Sequence, residues 1–329
     1  MFDFNEFLDY VMENIPEHLP ESLMGAQISL REVRKNNDLI LHGMEVLPED
    51  SNIAPSIYLD NFFKQYEEGK DLNEIMDKIA DTIVSHINVP EEYSDIVEKF
   101  KDFEFVKNNI IMAAVNTERN ENLLSQVPHH EKEDLSLIYK VMLGRDNEDI
   151  STITIRNEHM DMWGVTADDL YELAFTNTRK ILPITIRPMT EVLRGLFEKN
   201  GMPAEMSTLM FEEMPPSQQM YVISNEAMVN GAVSMFYTDG LSELAKKVGT
   251  DLYILPSSVH EVIAVSTEMG TPEFLSDMVR DVNGTQVSRE EQLSDHIYCF
   301  NAAKKTLSLV STSNDELEAS VNVEDHRFY

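Results

Sequence analysis

The stretch DLYILPSSVHEVIAV, residues 251–265, decides the predicted fold. It consists of two apolar runs joined by residues 256–258. The first run places apolar side chains on both faces of an extended segment, which is typical of a strand buried between layers. Helix-end signals flank the stretch: Gly249 precedes it, and Thr271 followed by Pro272 comes after it. The sequence therefore predicts a helix, two strands and a second helix in this region.

Alternating apolar residues separated by turn-forming residues recur elsewhere in the chain. They predict β-hairpins over residues 28–47, 135–156 and 295–310. A further strand is predicted over residues 232–237, and residues 127–130 are interpreted as a connection. Amphipathic helical patterns lie between these segments. The predicted fold class is α+β, or mixed α/β, with β-hairpins and antiparallel or mixed sheets covered by amphipathic helices.

The length of 329 residues suggests two domains. We expect an N-terminal region of helix, hairpin and further helices over residues 1–130. A larger sheet-and-helix domain is expected over residues 131–311. Residues 312–329 form a polar tail.

The charge of the chain is strongly acidic. Lys and Arg total 26 against 59 Asp and Glu, so the formal net charge is -33. Such a surface repels nucleic-acid phosphates and anionic lipid, which argues against direct nucleic-acid binding and against membrane association. A basic protein is the partner that this charge favours.

The sequence also favours a reducing compartment. Cys299 is the single cysteine, which rules out a disulfide framework within the chain. The N-terminal residues have no basic region before an apolar core, and the longest apolar run, residues 110–115, is too short to span a bilayer. We therefore expect a cytoplasmic protein.

Four strings carry a resemblance to a known family. They are NEHMDMWGVTADDLYELAFTNTRKILP at 157–183, the opening stretch at 251–265, SDHIY at 294–298 and IYLDNFFKQYEEGKDLNEIM at 57–76. These strings resemble an uncharacterised domain family of anaerobic gut bacteria, often encoded on mobile elements, and are more distantly similar to the YtpQ-like proteins of bacilli. The resemblance covers most of the chain. It implies neither an activity nor a cofactor, and it provides no catalytic residues.

Few residues match a known catalytic pattern. The glycines show no G-x-G or Walker spacing, so no nucleotide cofactor is predicted. His260 and Glu261 begin like the zinc motif H-E-x-x-H, but Ala264 occupies the position of the second ligand. If the last hairpin lies beside the central strands, His260 and Glu261 would meet Asp295 and His296 in a hydrolase-like cleft.

His296 and Cys299 form an H-x-x-C pair, which is a candidate for a metal site. A structural zinc site needs about four ligands, and His260, Glu261 and Asp295 would join the pair if the last hairpin lies beside the central strands. A packing role for these two side chains is the alternative interpretation.

Methionines recur every four residues at Met202, Met206, Met210 and Met214. Helical spacing would align them in one stripe, because residues four apart lie on one helix face. The stripe is interpreted either as a cover over the core or as a pliable surface for a partner.

Three classes of function remain open from the sequence. The preferred interpretation is a non-catalytic interaction or regulatory module with an acidic surface. The second is an enzyme of unrecognised type with a cleft near His260 and His296. The third is an acidic decoy that imitates DNA and blocks a nucleic-acid-binding protein.

Overall fold

The chain divides into two compact units, Met1–Phe100 and Lys101–Tyr329, in a computed structural model. The structure describes residues 2–48, 56–87, 96–146, 149–210 and 214–311. The division falls earlier than the boundary expected near residue 130. A boundary at residue 130 would cut a sheet, because Ile110 pairs with Val141 and Asn116 with Leu135.

The first unit combines four α-helices with three strands in its described part. Its elements are α1 (Phe4–His18), β1 (Gln27–Arg34), β2 (Ile40–Leu47), β3 (Ser56–Tyr58), α2 (Asp60–Glu67), α3 (Leu72–His86) and α4 (Ile96–Phe100).

The predicted first hairpin is confirmed: β1 and β2 pair antiparallel, and β3 adds to β2. The turn between β1 and β2 places Asn37 and Asp38 at φ values of 58° and 50°. Asn and Asp tolerate this left-handed conformation better than most residues, which explains their presence in the turn.

The core of the first unit is formed by α1 and α3 together with apolar residues of the sheet. Seven side chains of the two helices are completely buried: Phe7, Val11, Ile15, Ile75, Met76, Ile79 and Ile83. Each lies three or four residues from another, so each helix buries one continuous apolar stripe.

The second unit contains the remaining elements. They are α5 (Phe103–Val106), β4 (Ile110–Asn116), α6 (Glu121–Leu124), β5 (His129–Lys132), β6 (Leu135–Asp146), β7 (Asp149–Thr154), α7 (Asn157–Trp163), α8 (Ala167–Ile181), β8 (Ile184–Pro188), α9 (Met189–Lys199), α10 (Ala204–Met210), β9 (Tyr221–Asn225), α11 (Thr238–Val248), β10 (Leu252–Leu255), β11 (Val262–Ser266), α12 (Pro272–Thr285), β12 (Tyr298–Asn301) and β13 (Thr306–Leu309).

Two antiparallel sheets organise the second unit. In the smaller sheet, β4 pairs with one edge of the long strand β6, while β5 and β7 share the other edge. The larger sheet has six strands in the order β13-β12-β10-β11-β9-β8. All of these strand pairs are antiparallel, which confirms the α+β class and the predicted hairpins β6–β7 and β12–β13.

The opening stretch of the sequence forms the centre of the six-stranded sheet. β10 and β11 pair with each other, and each has a further strand on its other edge. Leu252, Ile254 and Ala264 are completely buried. α11 ends where Gly249 adopts a φ of 89°, and Thr271 caps α12. The predicted order of helix, strand, strand and helix is therefore confirmed.

Two local predictions are wrong. Residues 232–237 form a 3-10 helix, Gly231–Phe236, because a short, fully buried apolar run has the same composition in a strand and in a tight helix. His129 and His130 lie in β5 instead of a connection. This short polar strand is held by its hydrogen bonds to β6, which composition alone does not reveal.

The polar tail, residues 312–329, lies outside the described residues. Among the helices that the structure describes, none combines the length and the apolar character needed to cross a membrane.

Candidate functional site

A polar cleft of about 530 Å³ lies in the second unit, and we call it the Asp134 cleft. Its volume falls in the range of small-molecule sites. The cleft is lined by Asn116, Thr117, Glu118, Arg119, Glu121, Asp134, Asp295 and His296.

Three chain segments bring these side chains together. The first follows the end of β4 at Asn116 and turns through a 3-10 helix into α6. The second is the tight turn between β5 and β6, where Glu133 has a φ of 60° and Asp134 follows it. The third is the segment before β12, which contains Asp295 and His296. The cleft thus lies where loops of the two sheets meet.

Asp134 is held by two hydroxyl groups. Ser294 Oγ donates to Asp134 Oδ2 at 2.5 Å, and the Tyr298 hydroxyl donates to Oδ1. Ser294 and Tyr298 are completely buried. Burial, together with the nearby Asp134 carboxylate, raises the pKa of Tyr298, so its hydroxyl keeps its proton and remains a donor. Ser294 Oγ also accepts a hydrogen bond from the backbone N–H of His296 at 2.9 Å.

Both carboxylate oxygens of Asp295, which also lines the cleft, accept hydrogen bonds. Its Oδ2 accepts from Arg119 Nη2, and its Oδ1 accepts from Asn283 Nδ2 at 2.6 Å. The backbone N–H of Arg119 donates to Asn116 Oδ1 at 2.9 Å, so the turn after β4 fixes the position of the guanidinium. Arg119 and Asp295 therefore neutralise each other within the cleft.

His260 and Glu261 do not line this cleft. His260 precedes β11, where its Nδ1 accepts from the backbone N–H of Asn230 at 3.3 Å and its Nε2 lies 3.6 Å from Glu291. Burial raises the pKa of the Glu261 carboxyl, while His260 and the Ser258 hydroxyl act in the opposite direction. The structure brings Asp295 and His296 together in the Asp134 cleft and places His260 and Glu261 elsewhere.

Cys299 lies in β12 and is also absent from the lining of the Asp134 cleft. It follows Tyr298 directly, and successive residues of a strand point to opposite faces of the sheet. Burial raises the pKa of the Cys299 thiol. Within the described part of the chain, no group of three or more His, Cys, Asp or Glu side chains is arranged to hold a metal ion.

The model of one protein family matches residues 4–302. The chain belongs to the family of unknown function DUF5688. No curated protein and no solved structure shows significant similarity to it. The matched span of this DUF5688 member includes every residue of the Asp134 cleft. The resemblance to YtpQ-like proteins and the origin in gut bacteria on mobile elements stay predictions from the sequence.

Three of the four methionines spaced four residues apart in this DUF5688 member are exposed. Met206 and Met210 lie one turn apart in α10 and are 59% and 56% exposed. Met214, beyond the helix, is 40% exposed, whereas Met202 before the helix is half-buried. We call the exposed pair Met206 and Met210 the methionine surface. α10 is fixed to α9 by Ser207 Oγ, which donates to Glu198 Oε1 at 2.6 Å.

A second polar cluster was not found from the sequence. His130 Nδ1 and the Tyr139 hydroxyl are 2.5 Å apart, and His130 Nε2 lies 2.9 Å from Asp168 Oδ1. The His130 ring packs on Tyr171, with ring centroids 4.9 Å apart. Because Tyr139 is completely buried, this cluster attaches the first turn of α8 to β5.

No local pattern in the sequence places Arg119 or Asp134 in a shared cleft with Asp295 and His296. Asp134 and Ser294 are 160 residues apart in the chain, so only the folded structure shows that they meet. The string SDHIY was a usable signal, because Asp295 and His296 line the cleft while Ser294 and Tyr298 support it.

Proposed function

We propose that the protein is a non-catalytic cytoplasmic interaction or regulatory module that binds a basic, amphipathic helical segment of a partner protein. The methionine surface is the proposed contact. The observation that carries this proposal is the exposure of Met206 and Met210 on one face of α10.

The chemistry of methionine supports this role. Its side chain is unbranched and polarisable, so it adapts to differently shaped apolar partners. α9, which packs with α10, has no fully buried residue, and its Leu196 is 52% exposed. Apolar side chains on two adjacent helices provide the type of surface into which an amphipathic helix docks.

The charge of this region supports a basic partner. Residues 189–219 contain five Glu but only two basic residues, Arg194 and Lys199. The whole chain carries a formal charge of -33. A helix with an apolar face and a rim of Lys or Arg would therefore complement both the methionines and the surrounding glutamates, and its approach would be accelerated by electrostatic steering.

The geometry gives less support to the hydrolase interpretation. The four proposed catalytic side chains do not share one cleft, since His260 and Glu261 lie outside the lining of the Asp134 cleft. The carboxylates of Asp134 and Asp295 each accept two hydrogen bonds from neighbouring side chains.

Fluorescence anisotropy with a labelled peptide tests the proposal. The peptide alternates Leu and Lys at helical spacing, and a scrambled peptide of the same composition lacks the apolar face. We expect the first peptide to bind more tightly than the scrambled one. Changing Met206 and Met210 together to Gln should weaken its binding about tenfold or more, because two apolar contacts are lost.

Met162→Gln is the matched control, since Met162 in α7 is also exposed, at 46%, but lies outside the methionine surface. Its effect should stay within about twofold. Equal binding of both peptides, or no loss in the Met206→Gln, Met210→Gln variant, would contradict the proposal. Dimerisation that the same double variant abolishes would assign the surface to a second copy of the chain instead.

A further inference from the structure

The Asp134 cleft has an excess of negative charge that its own residues do not balance. Arg119 pairs with Asp295, which leaves Asp134, Glu118 and Glu121. Glu118 and Glu121 are exposed at the mouth of the cleft. A cleft of this charge attracts a cation and repels phosphates.

The oxygens of Asp134 are presented in a fixed orientation. Ser294 and Tyr298 donate one hydrogen bond to each oxygen from the buried side. Because each carboxylate oxygen offers two acceptor positions, each has one left for a ligand. An ammonium group carries three N–H donors and can use such positions.

An inorganic cation fits the cleft less well. Over the described residues, no three His, Cys, Asp or Glu side chains are arranged as ligands of a metal ion. Mg²⁺ and Ca²⁺ are held by about six or more oxygen ligands, of which carboxylates are the usual protein contribution. An organic amine needs only hydrogen-bond acceptors and negative charge.

The cleft also offers two donors that lack an acceptor. Arg119 Nη1 is buried without a hydrogen-bond partner among the described residues. Asn116 is only 7% exposed and lines the cleft, and while its Oδ1 accepts from the Arg119 N–H, its Nδ2 has no partner in the described part of the chain. Buried donors are almost always satisfied, so Arg119 Nη1 indicates an acceptor oxygen supplied by a ligand, and Asn116 Nδ2 is a second donor available in the same cleft.

We propose that the Asp134 cleft binds a small organic amine that also carries a carbonyl or carboxylate oxygen, as a basic amino acid does. The ammonium group binds Asp134 with help from the charges of Glu118 and Glu121. The oxygen accepts from Asn116 and from the guanidinium of Arg119. The volume of about 530 Å³ accommodates a molecule of this size. This site is independent of the methionine surface.

Isothermal titration calorimetry with three related probes tests this proposal on the full chain. L-lysine has both an amine and a carboxylate, 1,5-diaminopentane lacks the acceptor oxygen, and Nα,Nε-diacetyl-lysine lacks the cation. We expect saturable binding of L-lysine and binding about tenfold weaker or more for each of the other two. MgCl₂ is titrated separately as the inorganic cation.

Glu118→Gln and Glu121→Gln probe the cleft without removing a structural hydrogen bond. Each should weaken L-lysine binding roughly three- to tenfold, because one nearby charge is lost. Glu131→Gln is the matched control, since Glu131 is an exposed residue of β5 outside the cleft lining, and it should leave the affinity unchanged. Circular dichroism checks that all three variants are folded.

Three results would overturn the proposal. The first is absence of saturable heat with L-lysine. The second is equal binding of L-lysine and 1,5-diaminopentane, which would show that no acceptor oxygen is recognised. The third is binding of Mg²⁺ that displaces L-lysine or occurs without it, which would assign the cleft to an inorganic cation.

Discussion

Tyr298→Phe removes one of the two hydroxyl groups that hold the Asp134 carboxylate in place. Tyr298 is completely buried, and its hydroxyl donates to the Asp134 carboxylate. A hydrogen bond to a charged group contributes about 1.5–3 kcal/mol, and the substitution removes a single oxygen atom without a large change of shape. Asp134 keeps its second donor, Ser294. We therefore expect the free energy of unfolding of the second unit to fall by about 2 kcal/mol.

Thermal and urea unfolding measure this effect. For a unit of this size, about 2 kcal/mol corresponds to a fall in Tm of about 4–8 °C. Tyr253→Phe is the matched control, because no hydrogen bond of the Tyr253 hydroxyl occurs within the described residues, and its effect should stay within about 0.5 kcal/mol.

A double-mutant cycle assigns the effect to the contact itself. If the hydroxyl acts through Asp134, then Tyr298→Phe should cost at least about 1 kcal/mol less when Asp134 is already Asn. Additive effects of the two substitutions would refute the reasoning. An equal loss in Tyr298→Phe and Tyr253→Phe would refute it as well.

Two further predictions concern stability away from the cleft. Burial raises the pKa of Glu261, so the folded protein favours the protonated carboxyl over the ionised one. The stability that the protonated form contributes is complete below the ordinary pKa of 4.5 and is lost as the pH rises through the raised pKa. Glu261→Gln should therefore raise the free energy of unfolding at pH 7. Urea unfolding at a series of pH values should show that this gain becomes smaller towards pH 4. A gain that does not depend on pH would contradict burial of the carboxylate as its cause. Gly231→Ala should destabilise by about 3 kcal/mol or more in urea unfolding, because the added Cβ would lie 2.1 Å from Ser224 Oγ and 2.6 Å from the carbonyl oxygen of His260. Gly195→Ala in α9, where nothing lies within 4 Å of the added Cβ, should instead stabilise by about 0.5–1 kcal/mol, and equal effects of the two substitutions would disprove the steric argument.

Local signals in the sequence predicted most of the strands and helices. The turn residues Asn37 and Asp38 mark the first hairpin because few other residues adopt their left-handed backbone at low cost. Gly249 and Thr271 mark helix ends for similarly local reasons, since each acts on backbone groups within a few residues. The apolar alternation of residues 251–265 then places the two central strands.

Contacts between distant residues were not predictable in this way. The string SDHIY indicated a cluster of polar residues, but nothing in it points to Asp134 or Arg119. The grouping of His260 with His296 was expected from the assumption that the last hairpin lies beside the central strands. That assumption is correct, since β12 pairs with β10. β11, however, pairs with the opposite edge of β10, and His260 lies just before β11. The two histidines therefore precede strands at opposite edges of β10.

The side chain of Asp134 joins the two sheets of the second unit. It extends from the hairpin of the four-stranded sheet, whereas both of its hydroxyl partners belong to the chain segment that enters the six-stranded sheet. If the six-stranded sheet were expressed alone, Ser294 and Tyr298 would lose their shared acceptor. If the smaller sheet were expressed alone, the Asp134 carboxylate would lose both of its donors. Neither sheet is therefore a suitable fragment for truncation or for grafting onto another protein, and the second unit, Lys101–Tyr329, is the segment that keeps both sheets together.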